Sequence, residues 1–142
     1  MAGNIYNVEI NMLSVINSLE DGPADRAESS YNGSLVLEGE ERLKLSYEEK
    51  TDGGKMSTEI YLRDNRVVVK RKGAIVSDMV FAEGKKNTSI YSIPPHSFDM
   101  TVECTRLKVK LDGLNGRIDM LYKMDIGGDA RSARMRIIWN LT

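Results

Sequence analysis

The sequence predicts an all-β fold, a single antiparallel up-and-down barrel of about eight to ten strands. Three observations predict it. Across residues 98–142 apolar and polar side chains alternate almost without a break, and a period of two places each set on one face of a strand. Turn signals separate such segments about every ten residues. The joins are mostly tight, so a meander of one-sided strands buries its apolar face most simply by closing on itself, which also removes exposed edges. A two-sheet sandwich is the alternative. Its Greek-key crossovers need long connections, and only residues 20–28 supply one.

The elements follow in order. The first strand is expected over residues 5–17, with Tyr6, Val8, Ile10 and Met12 on one face and Asn7, Glu9 and Asn11 opposite. The alternation blurs at Leu13, Val15 and Ile16, which predicts a bulge or bend. Residues 20–28 are the most polar stretch and read as a loop, with Pro23 suited to start one helical turn. A strand is expected over residues 34–38, and Leu43, Leu45 and Tyr47 face inward on the next. Thr51-Asp52-Gly53-Gly54 is a strong turn signal. Met56, Thr58, Ile60 and Leu62 form the following inward set, and Asp64-Asn65 turns the chain. Val67, Val69 and Arg71 share the next face, with a kink or bulge expected at Gly73. Ser77, Met79 and Phe81 come next, then a turn at Glu83-Gly84. Residues 88–93 form a strand stopped by Pro94-Pro95, since proline has no N–H for a ladder. Three strands close the chain, carrying Phe98, Met100, Val102, Cys104, Leu107, Val109 and Leu111, then Ile118 to Ile126, then Ala133 to Leu141.

Composition bounds the function. With 142 residues, 29% charged and 41% hydrophobic, the chain suits one globular domain over residues 1–142. Twenty Lys and Arg against 21 Asp and Glu give a net charge of -1, a balance that favours neither nucleic acid nor an anionic membrane as partner. One cysteine permits no internal disulfide, and no apolar run reaches bilayer length or resembles a signal-peptide core. The expectation is a cytoplasmic protein, monomeric or homodimeric, in which the sequons at Asn32, Asn87 and Asn140 go unused.

Chemistry-bearing residues are few. There is no phosphate-binding glycine loop, nucleophile elbow or C-x-x-C pair. Adjacent acids such as Glu48-Glu49 face opposite sides of a strand. The one histidine, His96, lies in a loop without ligand-spaced partners, so no metal site and no cofactor are expected. Cys104 shares the parity of Met100 and Val102 and reads as an inert buried thiol. Arg71 breaks the pattern. It continues an apolar face while Arg66, Lys70 and Lys72 take the solvent side, and an inward guanidinium needs a counter-charge. Either an anionic ligand or an Asp or Glu across the sheet supplies one. Seven methionines after Met1 fall on inward parities, either as core filling or as the wall of an adaptable cavity.

Residues 71–91 resemble the YwiB-like family of small uncharacterised bacterial proteins, a domain of unknown function. The resemblance rests on Arg71, Gly73, Ser77, Met79, Phe81, Gly84, Thr88, Ser89 and Tyr91, followed by Pro94 and Phe98. Length and strand order match from about residue 5 to the end. Pro95-His96 replaces an aromatic-Gly pair, and the Gly-x-Trp start of lipocalins is absent. The resemblance implies a calycin-like, lipocalin-like barrel in a bacterial cytoplasm and brings no catalytic residues.

Together these features lead to a non-enzymatic binder of a small, partly apolar or anionic ligand at one barrel mouth. Arg71, Tyr91 and His96 would be polar contacts and Met79 and Phe81 the apolar wall. The alternatives are a protein–protein scaffold with a filled core, suggested by Val68, Leu121 and Ile138 on polar faces, and a hydrolase-type enzyme.

Overall fold

The computed structural model describes residues 4–17 and 24–142. Ten strands form a closed antiparallel barrel: β1 (Ile5–Asn17), β2 (Asp25–Gly39), β3 (Arg42–Thr51), β4 (Gly54–Arg63), β5 (Arg66–Gly73), β6 (Val76–Ala82), β7 (Lys86–Ile93), β8 (His96–Asp112), β9 (Asn115–Ile126) and β10 (Asp129–Leu141). Each strand pairs with its sequence neighbour, and β1 closes the ring against β10 from Val8↔Leu141 to Asn17↔Ser132. No helix of the described residues is long and apolar enough to cross a membrane.

Turn chemistry sets the joins. Asp64 and Asn65 both have positive φ, at 50° and 60°, so β4 and β5 meet through two left-handed residues, the twist a two-residue hairpin needs. At Gly73 φ is 121°, and a Cβ there would strike the Lys55 carbonyl. The expected irregularity at Gly73 is thus a close crossing of two backbones that only glycine permits.

The inward parities meet in one core. Ile10, Leu35, Leu45, Ile60, Val67, Val69, Phe81, Met100, Ile118 and Ile137 are fully buried. Each such side chain contributes roughly 1.5–3 kcal/mol of transfer free energy. Met12, Met56, Met79, Met100, Met120 and Met135 are buried among them. Trp139 lies flat over Gly116, where any side chain would collide with the indole.

Three expectations need correction. Residues 25–28 are strand, not loop: Asp25–Glu28 pair with Ile16–Leu13 of β1. They carry no alternation because β3 pairs with β2 only from Ser34 onward, leaving residues 25–30 exposed on both faces. The expected helical turn at Pro23 lies outside the described residues. No bulge interrupts β1, whose register with β2 and β10 runs without shift. Leu13, on the outer face, is only 4% exposed. It sits in register between Glu28 and Arg136, which approach each other to 3.9 Å, and long charged side chains can cover an apolar neighbour with their stems. Register shifts lie instead at the end of β2, between Leu37 and Gly39, and in β8 between Cys104 and Arg106. The β8 shift is the one inside a strand. It carries the inward set from Cys104 to Leu107.

Candidate functional site

At the rim formed by the Thr51–Gly54, Gly73–Val76, Ile93–His96 and Ile126–Asp129 joins, one row of inward residues crosses six strands. Tyr47 on β3 lies opposite Thr58 on β4, Thr58 opposite Arg71 on β5, and Arg71 opposite Ser77 on β6. Ser77 lies opposite Tyr91 on β7, and Tyr91 opposite Phe98 on β8. Directly opposed residues on one face have Cβ atoms about 5 Å apart, so Arg71 is bracketed by two hydroxyls.

Arg71 is half-buried. Seven of the nine other arginines have carboxylate partners, among them Arg42–Asp64 at 2.9 Å, Arg63–Glu38 at 2.8 Å and Arg131–Asp129 at 3.0 Å, and the two without one, Arg66 and Arg106, are exposed. Among the described residues no carboxylate comes within ion-pair distance of Arg71. The inward acid nearest in register is Glu49, two residues beyond Tyr47. Glu49 helps hold the Tyr31 phenol above its ordinary pKa, second to burial.

The flanking hydroxyls are the second feature. Thr58 is fully buried and Ser77 is 2% exposed; Ser77 Oγ has no hydrogen-bond partner, and Thr58 Oγ1 has only the neighbouring Tyr47 phenol, which also approaches Arg71, without good hydrogen-bond geometry. An unmet buried hydroxyl costs about 1–3 kcal/mol, and here two poorly satisfied ones flank a cation.

Tyrosines line the rest. The Tyr31 and Tyr47 rings stack at 4.1 Å with 9° between their planes. Burial pushes the Tyr47 phenol upward, while the adjacent Thr58 hydroxyl and Arg71 guanidinium act in the opposite sense. Across the interior, burial lifts Tyr122 to about 12, and Arg71 again pulls downward. The Arg71 charge therefore acts on the barrel interior.

The residues expected from the sequence occupy three levels. Arg71 and Tyr91 share the row. Met79 and Phe81 lie below Ser77 on β6, opposite Val69 and Val67. They are 4% and 0% exposed, and Phe81 meets the Tyr122 ring edge-on at 4.9 Å, so they form the packed floor under the row. His96 stands exposed at the start of β8, its carbonyl accepting from Ser92 Oγ at 3.1 Å. Ile93 and Phe98 continue inward parities into the open rim and are 46% and 43% exposed. The sequence pattern places Tyr47, Thr58 and Ser77 inward but assigns them no role in the site, and it does not single out Tyr31. The available signal was a hydroxyl on an apolar parity, as in Met56-x-Thr58-x-Ile60 and Ser77-x-Met79.

Such an arrangement can hold an oxyanion, with guanidinium and hydroxyl N–H and O–H donors converging from one side. Cys104 belongs elsewhere. It is buried at the β8 bulge, its thiol pushed up by burial and 3.5 Å from the Arg106 carbonyl. No group of three or more His, Cys, Asp or Glu among the described residues could hold a metal ion.

Comparison with known proteins places the chain. A family profile described as "Domain of unknown function (DUF1934)" matches residues 10–137. The chain belongs to this family. A DUF1934 chain is thus a ten-stranded closed barrel here, and its relatives agree in fold. The "Uncharacterized beta-barrel protein YwiB" of Bacillus subtilis (strain 168) is 25% identical over 122 residues, covering 86% of this chain and 84% of that protein. The crystal structure of the Bacillus subtilis ywiB protein superposes with a TM-score of 0.87 at 23% identity, over 99% of this chain and 95% of the other. The Arg71 row lies within the matched span of this DUF1934 protein.

Proposed function

We propose that this protein is a non-enzymatic binding barrel whose rim takes a small, partly apolar, anionic ligand, with Arg71 as the charge partner. The observation that carries this reading is the inward, half-buried Arg71 without a carboxylate, set between the poorly satisfied hydroxyls of Thr58 and Ser77. A half-buried charge without a counter-charge and two buried, poorly bonded hydroxyls are costly alone. One oxyanion would satisfy all three. Exposed Phe98 at the end of the row and Ile93 beside it supply apolar contact for the rest of the ligand, and Tyr91 stands between Ser77 and Phe98. His96 is available at the edge, while Met79 and Phe81 support the site from below. The buried, unpaired thiol supports a cytoplasmic setting, where such thiols stay reduced. Catalysis through the hydroxyls of Thr58 or Ser77 would need a general base beside them; Tyr47, Thr58, Arg71, Ser77, Tyr91 and Phe98 include no carboxylate or imidazole.

Decanoate titrated against bound anilinonaphthalene sulfonate tests the reading, with decanol as the neutral control. Wild type is expected to release the dye to decanoate but not to decanol. The Arg71→Met protein should lose decanoate binding by about tenfold or more, while its urea midpoint stays level or rises because an unpaired charge has left the interior. Equal decanoate affinity in both proteins, or none in wild type, overturns the proposal.

A further inference from the structure

The outer wall built by β8, β9 and β10 concentrates charge. Arg106, Lys108 and Lys110 point outward from β8, opposite Leu121, Asp119 and Arg117 of β9. Those in turn lie opposite Arg134, Arg136 and Ile138 of β10. The outward positions of these strands carry Arg106, Lys108, Lys110, Arg117, Lys123, Arg134 and Arg136 against Glu103, Asp112, Asp119 and Asp125, and in the rows between Glu103 and Asp112 six cations surround Asp119 alone. All of the six but Arg136 line a shallow groove of about 490 Å³. Asp119 holds Arg117 at 2.6 Å and Arg134 at 3.4 Å, and Arg136 reaches Glu28. Arg106, Lys108 and Lys110 have no acidic partner among the described residues.

The same stretch of β8 is also a bare strand edge. Pairing with β7 ends at Glu103. Gly84 and Lys85 then bracket Cys104 through backbone hydrogen bonds of 2.8 and 3.1 Å. The Leu107 N–H donates to the Glu83 carboxylate at 3.1 Å, away from β9. Alternate residues of an antiparallel strand present their N–H and C=O groups to the same side, so Val109 and Leu111 follow Leu107 and face that open side. No strand pairs there among the described residues. A groove of about 550 Å³ adjoins this edge, bounded by Val109, Leu111, Leu62, Glu40 and Glu41.

We propose that β8 captures an extended acidic segment of a protein partner, which adds as a strand along Val109 and Leu111 and sets alternate carboxylates against Arg106, Lys108 and Lys110. Strand addition supplies the backbone bonds and alternate side chains the specificity. The geometry selects this occupant. Side chains on one face of a strand recur every ~6.8 Å, so an added strand matches the cation row residue for residue. Glutamates at alternate positions would meet cations outside, and the positions between them would meet the apolar strip and carboxylates of the inner groove. A nucleic acid fits less well. It cannot continue the backbone ladder, and the basic groove has no aromatic side chain for base stacking.

The test uses a labelled peptide alternating glutamate with threonine, its lysine–threonine counterpart, a single-stranded oligonucleotide and inorganic phosphate. Anisotropy and amide exchange are read on the full chain. The glutamate peptide should bind and the lysine peptide should not. Exchange at Val109 and Leu111 should slow on peptide addition. The Lys108→Glu/Lys110→Glu protein, with its Trp139 near-ultraviolet signal intact, should bind at least about tenfold more weakly. Unchanged exchange at Val109 and Leu111, an oligonucleotide bound as tightly as the peptide, or full displacement by phosphate each overturns the proposal.

Discussion

Arg71 occupies a position that the alternation reserves for apolar side chains, and it was legible for that reason. Val67, Val69 and Arg71 share a parity in the sequence, and the structure keeps Arg71 on the interior face. Its neighbours were not legible in the same way. Serine and threonine are ordinary strand residues on either face, so the apolar parity of Thr58 and Ser77 is a weak signal until register puts one on each side of Arg71. Gly73 was legible as an irregularity, though not as a backbone crossing. A Gly73→Ala substitution forces a Cβ onto a positive φ and into the Lys55 carbonyl. It should cost about 2 kcal/mol or more, read as a lower urea midpoint with an unchanged slope. A midpoint within error of wild type would show that β4 can retreat from the crossing.

At the scale of elements, sequence and structure part where a strand has no buried face or changes its phase. Residues 25–30 have neither an apolar side nor a β3 neighbour, so nothing in their pattern reveals the pairing with β1. The β8 bulge left a trace, the three-residue step from Cys104 to Leu107, but the step alone does not say which residue is extra. Thr105 is that residue, and its Oγ1 donates to the Leu121 carbonyl at 3.1 Å. Deleting Thr105 would bring Cys104, Arg106 and Leu107 into unbroken register with Tyr122, Leu121 and Met120, so Leu107, Val109 and Leu111 stay inward and Arg106, Lys108 and Lys110 stay outward. The deletion protein is expected to keep its Trp139 near-ultraviolet signal and its solubility, as is Thr105→Ala. Loss of that signal in the deletion protein alone would mean that the local bend of the bulge, and not only the facing of the side chains, holds β8 in the barrel.

For the whole molecule, alternation and tight turns were enough to predict a closed meander, since they recur in most strands and only closure satisfies them all. The aromatic interior makes the barrel sensitive to alkali. Tyr122 is raised from 10.0 to about 12 by burial, and burial raises Tyr47 as well. In the unfolded chain these phenols ionise near their ordinary pKa, while the folded barrel resists until higher pH. Stability is therefore insensitive to these groups below about pH 10 and falls as pH rises from 10 toward 12, by on the order of 2 kcal/mol for Tyr122. Urea midpoints across that window, read beside phenolate absorbance, should fall as predicted in wild type. A Tyr122→Phe protein should show a shallower decline, and an identical one would remove Tyr122 from the account.

The strand that closes the ring is the last to be made. β1 pairs with β2 along one edge, but its other edge belongs to β10, which begins at Asp129. During synthesis the early strands can form their local hairpins while the β1 edge waits, unpaired, for nearly the whole remaining chain. Contacts of such long sequence separation slow folding and expose strand edges meanwhile. A barrel whose β1 edge is sealed only by β10 is thus one whose nascent chain holds that edge open until synthesis ends, and a stall before β10 would leave a sticky, open sheet.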